Sequence, residues 1–339
     1  MSIVLTGGGT GGHLAIVDAV KEYIDSEKIY IGSVKGQDRA WFEDDNSFAK
    51  KYFLDSGSVV DKGKIGKIFA LWGVAKQVVI ARKILKENSA KVVFSVGGYS
   101  AAPASFAAVT LGIPLVIHEQ NAAIGTLNKI LKKFAKYFIS SYDASSPLKA
   151  YPTKKIFFDN ARVRKEVKTI LISGGSQGAK AVNEFALKIA PELAKRGIKI
   201  YHQAGERNLE SVKAEYEKLG IKAEVFGFTK KMPEIMHEAD FAIARAGAST
   251  LWELVANGLP TIFVPYPYAA GDHQYYNAKY LVDEGLAFMF RENELDENRV
   301  LDILDNTDIE SISTKLMNEI SPDGAKEIAS LLEELAERL

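Results

Sequence analysis

Ile3-Val-Leu-Thr-Gly7-Gly8-Gly9-Thr10-Gly11-Gly12-His13 sets a short apolar run directly against five glycines, and the apolar spacing of Leu14 to Val20 continues it as a helix. A strand, a glycine loop and a helix in that order open a βαβ unit. The loop leaves backbone N–H groups at a helix N-terminus, where the dipole and the missing side chains favour a phosphate. Gly7, Gly9 and Gly12 also satisfy G-x-G-x-x-G, so a nicotinamide-dependent dehydrogenase competes with a sugar-nucleotide enzyme. Asp38 lies within range of the ribose-binding position, but no acid stands at the tip of the second strand, near Gly32-Ser33, which weakens the dinucleotide reading.

The strand–helix rhythm runs outward from this motif. Ile29 to Ile31, Val92 to Val96, Leu115 to Ile117 and Phe138 to Ser140 read as further short strands separated by helical patterns. After an irregular basic connection near Lys154 to Glu166 the rhythm restarts at Thr169 to Ser173. It continues through Ile200 to His202, Glu224 to Phe226, Phe241 to Ala244 and Thr261 to Val264. The expected fold class is α/β, with two Rossmann-like, doubly wound parallel-sheet domains facing a cleft. The boundaries are 1–160 and 161–339, with the option that the last helix packs back on the first domain. Ligands belong beyond the carboxyl ends of the strands.

Composition narrows the class. A chain of 339 residues is about twice a usual domain length, and 47% apolar residues is ordinary for a globular protein. No stretch approaches the ~18 unbroken apolar residues that span a bilayer, and Met1-Ser-Ile-Val leads straight into a strand without a secretory signal. With no cysteine, disulfides, cysteine nucleophiles and cysteine metal ligands are all excluded. Net charge is zero, yet residues 1–160 carry 21 Lys and Arg against 14 Asp and Glu, a surplus of +7 that the remainder offsets. Such a half attracts anionic headgroups or phosphorylated substrates, or is simply a solvated lysine-rich face.

Several later segments repeat the logic of the first. Val96-Gly97-Gly98-Tyr99 is a second glycine loop after a strand, and His118-Glu119-Gln120-Asn121 puts four polar side chains at the end of another. In the second half, Gly174-Gly175-Ser176-Gln177-Gly178 offers a third loop. Arg245-Ala-Gly247-Ala248-Ser249-Thr250-Leu251-Trp252-Glu253 joins a strand to a helix whose first-turn amides suit a diphosphate and whose Glu253 suits ribose hydroxyls. Asp272 and Gln274 stand where another loop could hydrogen-bond sugar hydroxyls. His13, in the first turn of its helix, has its neutral form favoured by the dipole, as a general base acting on a hydroxyl requires. Core hydrogen bonding is the plainer reading for His118 and Glu119.

Taken together, GGGTGGH at 7, VGGY at 96, HEQNA at 118, GGSQGA at 174, RAGASTLWE at 245 and DHQYYNA at 272 resemble the MurG family of glycosyltransferases, family 28. The resemblance covers most of the chain in order. It implies a GT-B fold and inverting transfer of GlcNAc from UDP-GlcNAc to undecaprenyl-diphospho-MurNAc-pentapeptide, lipid I to lipid II, in peptidoglycan synthesis. It implies His13 as catalytic base. Thr10, Gly11, Gly12, Asn121, Arg164, Ser176, Phe228, Ala248, Ser249, Thr250, Leu251, Glu253 and Gln274 are implied as UDP-GlcNAc contacts. Gly9, Gly98 and Tyr99 are implied at the acceptor diphosphate. No cofactor and no metal are implied, and no Asp-x-Asp motif is present. Arg164 is assigned where the family pattern G-N-P-V-R meets Asp159-Asn160-Ala161-Arg162-Val163-Arg164, and Ile16 stands where the family usually has proline.

A lipid-linked acceptor implies peripheral association with an anionic membrane surface on the cytoplasmic face of the cell (inner) membrane. It leaves room for cell-wall synthesis protein partners and gives no role to nucleic acid. Lys62 to Trp72, continuing through Lys76 to Leu85, and Leu127 to Lys136 combine basic and bulky apolar residues as interfacial anchors do. The competing readings are a diacylglycerol glycosyltransferase, a UDP-GlcNAc 2-epimerase and a catalytically idle UDP-sugar binding module. HEQNA and GGSQGA weigh against the first two, His13 with Glu253 against the third.

Overall fold

The protein is described by a computed structural model covering residues 2–56, 64–175 and 177–338, with the side chains of the Lys64–Glu87 helix from residue 73 onward. Ser176, residues 62 and 63 of the proposed anchor Lys62 to Trp72, and the side chains of the rest of that anchor lie outside the described residues. Contacts divide the chain into two compact units, Met1–Lys154 with Pro322–Leu339, and Lys155–Ser321.

The first unit holds a six-stranded sheet of β1 (Ser2–Thr6), β2 (Glu27–Ser33), β3 (Lys50–Leu54), β4 (Ala90–Ser95), β5 (Leu115–His118) and β6 (Tyr137–Ile139), in the order β3-β2-β1-β4-β5-β6. The second holds β7 (Thr169–Ser173), β8 (Lys199–Gln203), β9 (Ala223–Phe226), β10 (Phe241–Ala244), β11 (Thr261–Phe263) and β12 (Phe288–Met289), in the order β12-β11-β10-β7-β8-β9. Every strand pair is parallel. Read from opposite ends the two orders are the same, the doubly wound order whose direction reverses at β1/β4 and at β7/β10. The glycine loops at 7, 97 and 174 and the segment at 245 all follow these four strands, where such folds gather ligands.

Central strands are covered on both faces and therefore read as unbroken apolar runs: Ile3, Val4 and Leu5 of β1 are completely buried. In the first unit Val4, Ile29, Ile31, Val93 and Ile117 share one core with Ala81, Ile84 and Leu85 of the Lys64–Glu87 helix, Ala104, Ala107 and Ala108 of the Ala102–Leu111 helix, and Leu131. In the second, Ile170, Ile172, Phe241, Ile243 and Ile262 pack with Val182, Phe185, Ala186 and Ile189 of the Lys180–Lys195 helix. Pro191 stands inside this helix.

Two strands, β3 and β12, escape the sequence reading. Both are sheet edges. Lys50-Lys-Tyr-Phe-Leu54 has only Leu54 buried, and Phe288–Met289 is two residues long, so neither shows the apolar run expected of a parallel strand.

The division falls at Lys154/Lys155 rather than after residue 160, and Gly324–Glu337 belongs to the first unit. That helix packs on the Gly11–Lys21 helix, β1 and β4. Its apolar stripe of Ile328, Leu332 and Leu335 is buried, and Glu333 accepts from the backbone N–H groups of Asp25 and Ser26, each at 2.8 Å. Gly324 has no room for a side chain, since a Cβ there would stand 2.7 Å from the carbonyls of Ala150 and Tyr151.

Candidate active site

In the first unit the polypeptide leaves β1 through Gly7, Gly8 and Gly9 and enters the Gly11–Lys21 helix at its N-cap, Thr10. Gly98 takes φ +78°, and a Cβ on it would meet the Gly8 carbonyl at 2.5 Å, so the loops after β1 and β4 lie backbone against backbone. Tyr99 completes the contact, its ring 2.6 Å from where a Gly9 Cβ would stand. Close packing thus demands several of the glycines that the sequence offers as a phosphate cradle.

Two groups of this loop are hydrogen-bonded within the protein. The Gly9 N–H donates to Asp38 Oδ2 at 2.7 Å, so it is not available to an acceptor diphosphate. Asp38, the candidate ribose acid, is completely buried, and its Oδ1 accepts from the Ser33 N–H at 2.9 Å and the Tyr30 hydroxyl at 3.1 Å. It faces inward beneath the loop, and the dinucleotide reading loses its ribose contact. Burial, reinforced by Asp38, raises the Tyr30 phenol well above its ordinary range.

His13 is half-buried in the first turn of the helix. Its Nδ1 lies 2.9 Å from Thr10 Oγ1 and its Nε2 3.1 Å from the Gln120 amide nitrogen. With the Gln120 amide in this orientation its nitrogen donates, Nε2 accepts and Nδ1–H donates to Thr10. This is the tautomer in which the outer ring nitrogen carries the basic lone pair. Gln120 stood inside the HEQNA run but was not among the expected site residues. Its position immediately before Asn121 was the available signal.

His118 and Glu119 have different roles. The Glu119 carboxyl accepts from the N–H groups of Asn121 at 3.0 Å and Gly125 at 2.9 Å and from Asn128 Nδ2 at 2.9 Å, fixing the turn that carries Asn121. His118 is completely buried with neither ring nitrogen hydrogen-bonded, edge-on to Tyr151 at 5.6 Å. Burial, and then the charge of His13, pulls its imidazole down to about 3.

In the second unit the loop after β7 folds tightly, Gly178 N–H donating to Gly175 O at 2.9 Å, while a Cβ on Gly178 would stand 2.3 Å from the Ala204 carbonyl. Ala248, Ser249 and Thr250 form the first turn of the Ala248–Ala256 helix, with Gly247 as N-cap and no acid in that turn. Thr250 and Glu253 are half-buried. Phe228 is 52% exposed, its N–H held by Glu206 Oε1 at 2.7 Å. Gln274 Oε1 accepts from the Tyr266 N–H at 2.9 Å, which orients its amide nitrogen away from that bond. Asp272 is gripped through both oxygens by Arg291, at 2.9 and 2.6 Å. Arg245 donates to the carbonyls of Val264 and Pro265 and to Glu292, and so ties the ends of β10 and β11 together.

Two more of the expected donor residues are engaged inside the protein. Leu251 is completely buried and its N–H donates to Gly247 O at 2.9 Å, so it offers a ligand neither side chain nor amide. Arg164 is also completely buried, and its guanidinium donates to the carbonyls of Ala239, Arg162, Met236 and Asn257 and to Asn257 Oδ1. It closes the C-terminal ends of the Met232–Glu238 and Ala248–Ala256 helices, where a cation is favoured. Burial, with Arg162 adding to it, pulls this guanidinium down to about 9, still cationic at neutral pH. Arg162 is the partner of Asp240, at 2.6 Å.

The sequence profile of the glycosyltransferase family 28 N-terminal domain matches residues 3–139, and that of the glycosyltransferase family 28 C-terminal domain matches residues 169–334. A relative from Sulfurovum sp. (strain NBC37-1) is 58% identical over 337 residues, 99% of each chain. It is named UDP-N-acetylglucosamine--N-acetylmuramyl-(pentapeptide) pyrophosphoryl-undecaprenol N-acetylglucosamine transferase. A relative of the same name from Wolinella succinogenes is 51% identical, over 98% of this chain and 99% of the other. Among solved structures, Acinetobacter baumannii MurG superposes with a TM-score of 0.77 at 26% identity, covering 98% of this chain and 99% of that one.

Proposed function

The chain belongs to glycosyltransferase family 28, and on that premise we infer that it transfers GlcNAc from UDP-GlcNAc to undecaprenyl-diphospho-MurNAc-pentapeptide, converting lipid I to lipid II with inversion. The observation that carries this is end-to-end identity of 58% with a transferase named for that donor and acceptor. The Thr10–His13–Gln120 arrangement supports it independently. In a single displacement the acceptor hydroxyl oxygen attacks the anomeric carbon, the bond to UDP breaks with its electron pair going to the diphosphate, and the proton passes to His13 Nε2. Thr10 holds the ring tautomer that can receive it. The incoming hydroxyl takes the place of the Gln120 amide at Nε2.

UDP-GlcNAc is assigned to the second unit, with Ser176, Phe228, Ala248, Ser249, Thr250, Glu253 and Gln274 as contacts. Thr10, Gly11, Gly12 and Asn121 are assigned as the UDP-GlcNAc contacts of the first unit, and Gly98 and Tyr99 as those of the acceptor diphosphate. Because Arg164 is buried, the departing diphosphate is stabilised by the amides that open the Ala248–Ala256 helix, dipoles already fixed in place before reaction.

Peripheral association with the cytoplasmic face of the cell membrane is assigned to the first unit. Among the described residues no helix is long and apolar enough to cross a membrane. Val79 is 67% exposed, and Ile130 and Phe134 are each 50% exposed beside Lys129, Lys132 and Lys133. This mixture of cations and bulky apolar groups suits an anionic interface. Ala81, Ile84 and Leu85, which follow Val79 on its helix, and Leu131, which follows Ile130, share one core with the first sheet.

The test is transfer of labelled GlcNAc to a short-chain lipid-linked muramoyl-pentapeptide, wild type against His13→Ala. Loss of about 10²-fold or more in kcat supports the base assignment. Wild-type protein that binds UDP but transfers nothing to this acceptor overturns the acceptor assignment.

A further inference from the structure

The sequence puts Asp38 within range of a ribose-binding position, and the mechanism above leaves it unused. It is nevertheless the most deeply placed polar group around the first glycine loop. We infer that Asp38 is a positioning residue for His13: a buried carboxyl that holds the backbone on which the Thr10–His13 pair is mounted. This inference rests on the reading of His13 as the base.

The geometry runs in one direct chain. Asp38 Oδ2 accepts the Gly9 N–H at 2.7 Å, Gly9 precedes Thr10, and Thr10 Oγ1 lies 2.9 Å from His13 Nδ1. At the other end of the loop the Tyr30 hydroxyl bridges Asp38 Oδ1, at 3.1 Å, and the Gly7 carbonyl, at 2.9 Å. One carboxyl therefore restrains both ends of a three-glycine run, the most conformationally free backbone available. The strand-to-helix turn that carries Asp38 wraps the same point: a Cβ on Gly36 would stand 2.7 Å from Gly9 Cα. On the other side, Gly8 leaves only 2.6 Å between Asp38 Oδ1 and a hypothetical Cβ.

All three partners of Asp38 are neutral donors, the N–H groups of Gly9 and Ser33 and the Tyr30 hydroxyl. A fully buried carboxyl is costly unless such donors satisfy it. Meeting that requirement with the Gly9 amide prevents the loop from reorienting its peptide toward solvent or toward a phosphate. The ring of His13 then depends on a rigid support, and misplacement of a catalytic group by about 1 Å can cost about 10²-fold in rate.

Asp38→Asn keeps the shape and turns an amide NH2 toward either the Gly9 or the Ser33 N–H, donor against donor. The expected result is a kcat lower by about 10- to 10²-fold. The His13 ring nitrogen spectrum should move from one neutral tautomer, protonated at Nδ1, to a mixture. A purely structural residue would lower the melting temperature without changing that tautomer ratio in the folded protein. Thr10→Ala cuts the same chain one link later, so the double variant Asp38→Asn/Thr10→Ala should lose no more than the worse single one.

Folded Asp38→Asn with wild-type kcat and an unchanged His13 spectrum overturns the proposal, as do independent, multiplicative losses in the double variant. Should Asp38→Asn not fold, Tyr30→Phe removes only the bridging hydroxyl. A smaller loss of kcat, about 3- to 10-fold, with the same spectral trend supports the proposal, and no change in either refutes it. His13→Ala serves as the separate control. If that variant turns over like wild type the base reading fails, while the support given by Asp38 to the ring is still decided by the spectrum.

Discussion

Replacing Arg164 with methionine separates the family resemblance from the observed structure. The substitution removes a guanidinium that makes hydrogen bonds to four carbonyls and one side-chain oxygen, with Nη1 2.7 Å from Arg162 O, Nη2 2.8 Å from Met236 O and Nε 3.2 Å from Ala239 O. Each bond contributes about 1 kcal/mol net, and removing one partner of a buried charged network costs about 3–5 kcal/mol, so about 4 kcal/mol is a consistent figure. For a unit of this size 1 kcal/mol corresponds to roughly 2–4 °C, which puts the expected fall in melting temperature of the second unit near 12 °C. Arg164→Lys retains the charge but not the planar fork, and should recover less than half of that. Differential scanning calorimetry reads the first quantity, and initial rates at varied UDP-GlcNAc on the folded protein read the second. The KM for UDP-GlcNAc should stay within about 3-fold of wild type, because no ligand can reach a completely buried guanidinium. An unchanged melting temperature with a KM raised 10-fold or more would show Arg164 touching the donor, and would refute the clamp.

Two more outcomes follow from burial and charge. His118 and His202 are buried with imidazoles pulled down to about 3 and about 4, mainly by desolvation. Their neutral forms stabilise the fold above the unfolded value of about 6.5, and this contribution is lost as pH falls from there toward 3–4, at up to about 1.4 kcal/mol per pH unit for each. His202→Gln should flatten the acid limb of melting temperature against pH between about 4.5 and 6.5, and an unaltered slope would count against the assignment. Ile130→Ser with Phe134→Ser removes two half-exposed apolar side chains and should weaken co-sedimentation with anionic vesicles by about 10- to 10²-fold. Undiminished binding would move the docking face elsewhere. His13→Ala, losing about 10²-fold or more in kcat, completes the set.

The sequence made the fold legible wherever a strand is central and apolar, because burial on both faces leaves a run such as Ile170-Leu-Ile that nothing else explains. The edge strands β3 and β12 lack that signature. Loop positions were also legible, since glycine runs mark the turns after β1, β4 and β7. Their reasons were less so. A glycine needed to let Gly98 pass the Gly8 carbonyl looks the same in a sequence as one needed to admit a phosphate. The surroundings of Arg164 and Asp38 were hidden for a related reason. Arg164 and Asp38 are polar residues near motifs, which suggests ligands, but both are completely buried and hydrogen-bonded to the backbone of residues as much as 93 positions away. Long-range acceptors of that kind leave no local pattern. Gln120 was hidden differently: the short run that contains it offers four polar side chains, and only the three-dimensional placement of His13 shows which one meets the ring.

The return of Gly324–Glu337 to the first unit has a consequence for synthesis. During translation, the first 154 residues emerge well before the helix that covers β1, β4 and the Gly11–Lys21 helix, because residues 155–321 are made in between. At about 5–20 residues per second that interval is on the order of 10–30 s. The residues of the second unit, by contrast, are contiguous. The unit that carries His13 keeps one apolar face uncovered until its last helix is made, although its first strand is the first to be synthesised.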